Sequence, residues 1–491
     1  MTSKNATNNK DQQIHKLPHP LLALLPVIIL VILVGTSVSI FGSDALNGGS
    51  QMALLFATAI CLIIGKLAIN VKWSSFENSL HKNIKNITTA LLILLIIGAL
   101  SGTWMISGIV PMFISYGMKI IRPEIFLVST LVICSIVSVV TGSSWTTVAT
   151  IGIALMGIGR AQGFSDGWIA GAIISGAYFG DKISPLSDTT ILASSITGTP
   201  LFTHIRYMLV TTFPSMLISL VVFGIAGYFN ANISSANIAE YQNILHHKFN
   251  ISPWLLIVPL VTIFMIAKRY PPLVSLFISM LLAAIFAFIF QKELLFEIAG
   301  GKGTLNALKG TLISCYGSTS INSGNAEINS LIATRGMQGM LYTVWLIICA
   351  TCFGAAMAST RMLESITNTL THYIKNTTSL VSSTVASGLL TNLTMGDQYL
   401  SLILTGNMFK DLYEKRGNES RLLSRSLEDS ITVTSVLIPW NSCGMTQSTV
   451  LGVATWAYIP YCVFNYVSPL MSIFIASIGF KIFNKNKSTE K

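Results

Sequence analysis

Residues 175–190 read SGAYFGDKISPLSDTT, and the fold turns on how this stretch is read. It lies between apolar runs and places two carboxylates, Asp181 and Asp188, on either side of Pro185. On an unbroken helix, residues seven apart share a face but sit about 10.5 Å apart along the axis. That is too far to share one small cation. Pro185 has no backbone N–H to give to a helix, so a break is expected here. An unwound turn gathers both carboxylates, the hydroxyls of Ser184, Ser187 and Thr189, and freed carbonyls around one point. Hard oxygen donors with no His or Cys beside them suit Na+ and protons rather than a transition metal.

Such a break is tenable in lipid only if protein buries it or it lines a cavity, and the composition supports that setting. The chain has 491 residues, 30 Lys+Arg and 19 Asp+Glu, for a net charge of +11. Charged residues make up 10% and hydrophobic residues 52%, whereas a soluble domain carries about 25% charged residues. There is too little charge here to cover a soluble surface, which argues against a soluble enzyme, a disordered chain and a secreted disulfide scaffold. Apolar runs such as 21–41 (LLALLPVIILVILVGTSVSIF) are continuous. A β-barrel would alternate apolar and polar positions, and about 20 such residues span a bilayer as a helix.

The expected fold is therefore all-α, a polytopic membrane helical bundle in a lipid bilayer. Residues 21–480 form one membrane domain between a polar tail (1–20) and a basic tail (481–491). Candidate spans are 21–41, 52–69, 87–110, 124–159, 167–196, 205–229, 253–268, 272–291, 303–320, 339–358, 378–409, 428–446 and 460–480, or eleven to thirteen elements. Lys4, Lys10 and Lys16 at one end and Lys481, Lys485, Lys487 and Lys491 at the other read as a positive-inside signal. Both termini are expected in the cytoplasm, and the net charge is not a nucleic-acid patch. Cys349 and Cys352 lie in LIICATCFGAAM and read as packing thiols. No cleaved leader is expected.

Three further stretches put polar residues, Gly or Pro inside apolar surroundings: 141–147 (TGSSWTT), 391–399 (TNLTMGDQY) and 427–444 (LEDSITVTSVLIPWNSCG). A shift of 254 residues lays Gly142 on Gly396, Pro185 on Pro439, and Gly198 on Gly452. Both halves then show a Gly-polar-polar-aromatic interruption followed by a Pro-centred one. Matched interruptions in two halves point to a transporter site between repeats, with repeat halves at about 87–215 and 341–469.

The second half contributes Asp397, Asp429 and Asn441 as candidate ion ligands. Asp397 also reads as a helix cap and Asp429 as a charge at a helix start. Ser143, Ser144, Trp145, Pro185, Pro439 and Trp440 are candidate pathway-lining residues, with close helix packing as the alternative for the small ones. Lys182 and Arg206 are bases that could hold a carboxylate substrate if they face the cavity, with an interface anchor as the favoured alternative for Arg206, next to His204 at the start of a span. No phosphate-binding fingerprint is visible, so ATP coupling within the chain is not expected.

Residues 176–215 (GAYFGDKISPLSDTTILASSITGTPLFTHIRYMLVTTFPS) resemble the signature region of the NhaC-type sodium/proton antiporter family. Residues 390–409 (LTNLTMGDQYLSLILTGNMF) and 424–444 (SRSLEDSITVTSVLIPWNSCG) are similar to that family's second-half motifs. The chain keeps Asp181, Pro185 and Asp188 of the first motif, and Asp397, Glu428, Asp429, Pro439 and Asn441 of the second. The resemblance implies a non-enzymatic secondary transporter of the bacterial inner membrane. It would exchange Na+ for H+ without a cofactor, with broken helices in repeated halves. Relatives of the family include malate/lactate antiporters, so a small carboxylate or amino acid is the alternative substrate. Na+ is expected at Asp181 and Asp188, with Ser184, Ser187 and Thr189 completing the shell and Asp397 and Asn441 approaching from the other half. Protons and Na+ would compete for the same oxygens, and rocking of one half against the other would expose the site alternately. A homodimer is left open.

Overall fold

A computed structural model describes residues 17–230, 235–325, 328–329 and 332–482. The bases at 4, 10, 16, 485, 487 and 491 lie outside these residues. Among them the chain is helical, and its one β feature is an isolated bridge between Thr319 and Thr334. The helices are α1 (Pro20–Phe41), α2 (Gly49–Ile69), α3 (Trp73–Ile106), α4 (Ile109–Ile120), α5 (Phe126–Thr141), α6 (Ser144–Thr147), α7 (Ile153–Ala161), α8 (Asp166–Ile183), α9 (Asp188–Thr197) and α10 (Leu201–Asn230). They continue with α11 (Ser235–Lys248), α12 (Ile257–Ala267), α13 (Pro272–Phe290), α14 (Lys292–Ala299), α15 (Thr304–Tyr316), α16 (Leu341–Ser359), α17 (Met362–His372), α18 (Thr377–Met395), α19 (Gln398–Lys415), α20 (Ser420–Leu427), α21 (Ser442–Leu451), α22 (Thr455–Tyr458) and α23 (Val463–Ser477).

Among the described residues seven helices are long and apolar enough to cross a membrane, and two further helix pairs do so only as bent elements. This is fewer full-length spans than the eleven to thirteen apolar runs suggest. The difference lies at the interruptions, where runs that look like single spans are pairs of shorter helices. Residues 124–159 are α5, a one-residue turn at Gly142, α6, a π-helical turn (Val148–Gly152) and α7. Residues 167–196 are α8 and α9 with the Pro185 break between them.

At a shift of 254 residues several helix ends and caps pair up. Gly142 ends α5 at φ 67° and Gly396 ends α18 at φ 64°, both in the left-handed region that favours glycine. The next residues, Ser143 and Asp397, cap the following helices with their side chains. Ser187 caps α9 and Asn441 caps α21. Those helices end at Gly198 (φ 70°) and Gly452 (φ 66°). Interhelical bonds repeat as well: Ser138 Oγ donates to the Ala177 carbonyl (2.5 Å), and Asn392 Nδ2 donates to the Ile431 carbonyl (2.8 Å).

Close packing sets the direction of these helices. A Cβ on Gly176 would lie 2.3 Å from the Leu131 carbonyl oxygen, and one on Gly180 would lie 2.5 Å from that of Ser135. Both contacts advance by four residues, so α5 and α8 run side by side in the same direction. Since α7 leads straight into α8, α5 and α6–α7 form a hairpin whose tip is Gly142-Ser143. That tip meets the broken strand of chain between α8 and α9: a Cβ on Gly142 would lie 2.6 Å from the Leu186 carbonyl carbon. In the other half Gly396 approaches the Trp440 carbonyl in the matching place. The two halves differ where the helix bonding is irregular. The first has its π turn in the hairpin, and the second at Glu428–Thr432, after α20.

Candidate functional site

The hairpin tip, the α8–α9 break, the middle of α3 and the link from α12 into α13 line a cavity of about 550 Å³. Asp181, Pro185, Ser187, Asp188 and Thr189 line it from the break, and Ser143, Ser144 and Trp145 from the tip. Gln398 and Tyr399 reach it from α19, the second half's hairpin. These residues are far apart in sequence, and the two breaks bring them together.

Asp181 is buried in the last turn of α8. Its Oδ2 accepts from the Ser144 backbone N–H (3.1 Å) and the Ser144 hydroxyl (2.7 Å), and its Oδ1 accepts from the Ser187 hydroxyl (2.7 Å). Ser187 and Thr189 hydroxyls are 3.0 Å apart. Asp188 opens α9 with its side chain exposed at the cavity. The break thus presents one carboxylate held by the tip and a second one exposed at the cavity. Ser184 is turned away, its hydroxyl donating to the Val139 carbonyl at 2.7 Å.

The second-half candidates are placed differently. Asp397 is buried and caps α19: Oδ1 accepts from the Tyr399 (2.9 Å) and Leu400 (3.1 Å) N–H groups, and Oδ2 from the Ser442 hydroxyl (3.0 Å). At the shift of 254 this Asp397–Ser442 pair corresponds to Ser143 and Asp188, with acid and hydroxyl exchanged. Asn441 caps α21 and donates to the Asn392 carbonyl (3.2 Å). Trp440 is buried with its indole N–H on the Leu393 carbonyl (2.7 Å), and Pro439 lines a small separate void. None of these four residues lines the large cavity.

Asp429 belongs to a second buried cluster. Its Oδ1 accepts from Lys182 Nζ in a close ion pair, from Thr211 Oγ1 (2.9 Å) and from Ser468 Oγ (3.1 Å). Lys182 and Asp429 are both 0% exposed. Glu428 is also fully buried, and among the described residues neither of its oxygens has a hydrogen-bond partner. Of the bases flagged in the sequence, Lys182 is committed to Asp429 and Arg206 does not line the cavity. Arg269, with Tyr270, lines it instead, from the link between α12 and α13. Asn86 and Thr89 line it from α3. No sequence signal marked these residues, because their side of the cavity is set by how α3 and α13 pack. Among the described residues no group of three or more His, Cys, Asp or Glu could hold a metal ion.

Comparison with known proteins agrees with this architecture. Residues 176–480 match the model of the Na+/H+ antiporter family. The Na(+)/H(+) antiporter NhaC of Bacillus subtilis (strain 168) is 35% identical over 430 residues, covering 86% of this chain and 91% of that protein. The Na(+)/H(+) antiporter NhaC of Alkalihalophilus pseudofirmus is 35% identical over 423 residues, 86% of this chain and 89% of the relative. The malate-2H(+)/Na(+)-lactate antiporter of Bacillus subtilis (strain 168) is 34% identical over 443 residues, 90% of this chain and 92% of the relative. With this match over more than half its length and these relatives, the chain belongs to the Na+/H+ antiporter family: it is a multi-pass membrane transporter and not an enzyme.

Proposed function

We propose that the chain exchanges Na+ for H+ across the bacterial inner membrane by alternating access, with Asp181 and Asp188 binding Na+ or protons in competition. The observation that carries this reading is the α8–α9 break, where two carboxylates and the Ser187 and Thr189 hydroxyls face one cavity. Oxygen donors of this kind fit a hard monovalent cation. Asp397 and Asn441, as caps of the matching second-half helices, hold the other tip against the site. The cavity lining includes Asn86, with Lys82 and Lys85 near it in sequence, and Arg269, next to Lys268. Under the positive-inside rule these bases support a cytoplasmic placement of this side, in keeping with cytoplasmic termini and an inward-open site.

The test uses purified protein in liposomes with an imposed pH gradient and a fluorescent pH probe. Added Na+ should dissipate the gradient, and the Asp181→Asn/Asp188→Asn variant should not respond. A gradient untouched by Na+ in the wild type overturns the proposal.

A second reading has one observation in its favour. A cavity of about 550 Å³ with Arg269 at its wall exceeds what a bare cation needs. Guanidinium is the group that grips a carboxylate in two-point fashion. In this reading Na+ and H+ drive exchange of a small organic acid such as those in the name of the malate-2H(+)/Na(+)-lactate relative. Gradient dissipation that requires an added small carboxylate, and that is lost in Arg269→Gln, would favour it over simple cation exchange.

A further inference from the structure

Lys182 and Asp181 are consecutive in the last turn of α8, and their side chains are tied to different parts of the molecule. Asp181 is bonded to Ser144 in the first hairpin tip. Lys182 is bonded to Asp429 in the second-half π turn and to Ser468 of α23 (2.9 Å). Asp429 is gripped in turn by Thr211 of α10, and Arg425 Nε stands 3.7 Å from its other oxygen. The Arg425 guanidinium lies 4.7 Å over the Tyr207 ring. One buried carboxylate thus gathers α8, α10, α20 and α23 at one point.

Three features argue that this knot does more than hold the bundle together. Desolvating a lysine and an aspartate costs so much that an apolar pair of similar volume is often at least as stabilising. Stability alone therefore does not account for the pair. The knot is also absent from the matching place in the other register: the counterparts of Asp429 and Lys182 are Ser175, inside regular α8, and Val436. It was built into one interface only. Finally, Asp429 sits in a π-helical turn, a rare geometry that concentrates at functional positions.

We propose that the Lys182–Asp429 contact couples the two halves, carrying the change in the last turn of α8 that accompanies cation binding at Asp181 into the second-half π turn. Lys182 and Asp429 are positioning residues in this account and do not touch the transported ion. The inference rests on the reading of Asp181 as part of the cation site. It predicts that breaking the contact slows exchange while leaving Na+ binding in place.

Removing one partner alone would strand a buried charge at a cost of about 3–5 kcal/mol, so the first variant is Lys182→Met/Asp429→Leu, which keeps the net charge but takes from the buried Arg425 its nearby carboxylate. Thr211→Val removes one donor from Asp429 without touching a charge, and it serves where the apolar pair does not fold. For each folded variant, Na+ binding is read as the Na+-induced rise in melting temperature in detergent, and exchange as the initial rate in liposomes. The double variant should keep its half-saturating Na+ within about twofold and lose about tenfold or more in maximal rate, and Thr211→Val should lose about threefold. A wild-type rate in either folded variant overturns the proposal, as does loss of the Na+-induced stabilisation. If the wild type itself shows no Na+-driven proton movement, the reading of the cation site fails, and that outcome is separate from either result in the variants.

Discussion

Replacing Asp188 with Asn removes one of the two proposed cation ligands and little else. Its carboxylate faces the cavity at the first position of α9, and among the described residues it makes no hydrogen bond. The structural cost is the loss of one acidic charge at a helix start, about 0.3–1 kcal/mol. The functional cost is larger. Two unit charges about 4 Å apart attract by about 4 kcal/mol at an effective dielectric constant of about 20, and water in an open cavity reduces this. With Asp181 still present, a net loss of about 2–3 kcal/mol is expected, which raises the half-saturating Na+ concentration by about 30- to 160-fold. Initial rates of pH-gradient dissipation across a Na+ series measure this, alongside melting curves of the same preparation. Asp188→Asn with wild-type Na+ dependence would refute the assignment. A variant that loses activity together with its fold would refute the claim that Asp188 is structurally free.

Substitutions at four other positions separate contact from conformation. Gly142→Ala adds a left-handed strain of about 1–2 kcal/mol and drives its Cβ to 2.6 Å from the Leu186 carbonyl carbon. Gly198→Ala has the same strain (φ 70°) with nothing within 4 Å. Melting temperature and exchange should both fall further in Gly142→Ala, and equal losses would contradict the role given to the tip–break contact. Asp397→Ala should cost about 1 kcal/mol of stability through the lost α19 cap, measurable by denaturant unfolding in mild detergent, whereas Asp397→Asn should keep most of it. Arg269→Gln should leave Na+-driven exchange intact while weakening any response to added small carboxylates, so reduced Na+ response alone would place Arg269 in the cation path.

The membrane class and the position of the α8–α9 break are legible in the sequence because each is a local signal. Lack of charge excludes a soluble surface, and Pro185 between two acids in apolar surroundings forces an interruption. The second half is legible through its register, since Gly396, Pro439 and Gly452 repeat the spacing of Gly142, Pro185 and Gly198. Which way a side chain turns at such a break is not local. Lys182 looks like a cavity base beside Asp181, but adjacent helical residues point about 100° apart, so it is carried to Asp429, 247 residues away. Asp397 and Asp429 are equally acidic in sequence, yet one closes a helix start and the other an ion pair, according to what packs against them. Arg269 lies in an ordinary interhelical link and gains its place only because α12 and α13 pack beside the first tip.

The most direct test of the central claim is the Na+ affinity of purified protein measured across a pH series by Na+-induced thermal stabilisation. If Na+ and protons occupy the same two carboxylates, Na+ binding must release protons, and its affinity should weaken by about tenfold per pH unit for each proton displaced as the solution is acidified. The dependence should be lost together with binding in Asp181→Asn/Asp188→Asn. Na+ affinity that stays constant with pH, or Na+ binding that survives in the double variant, would contradict competition at this site.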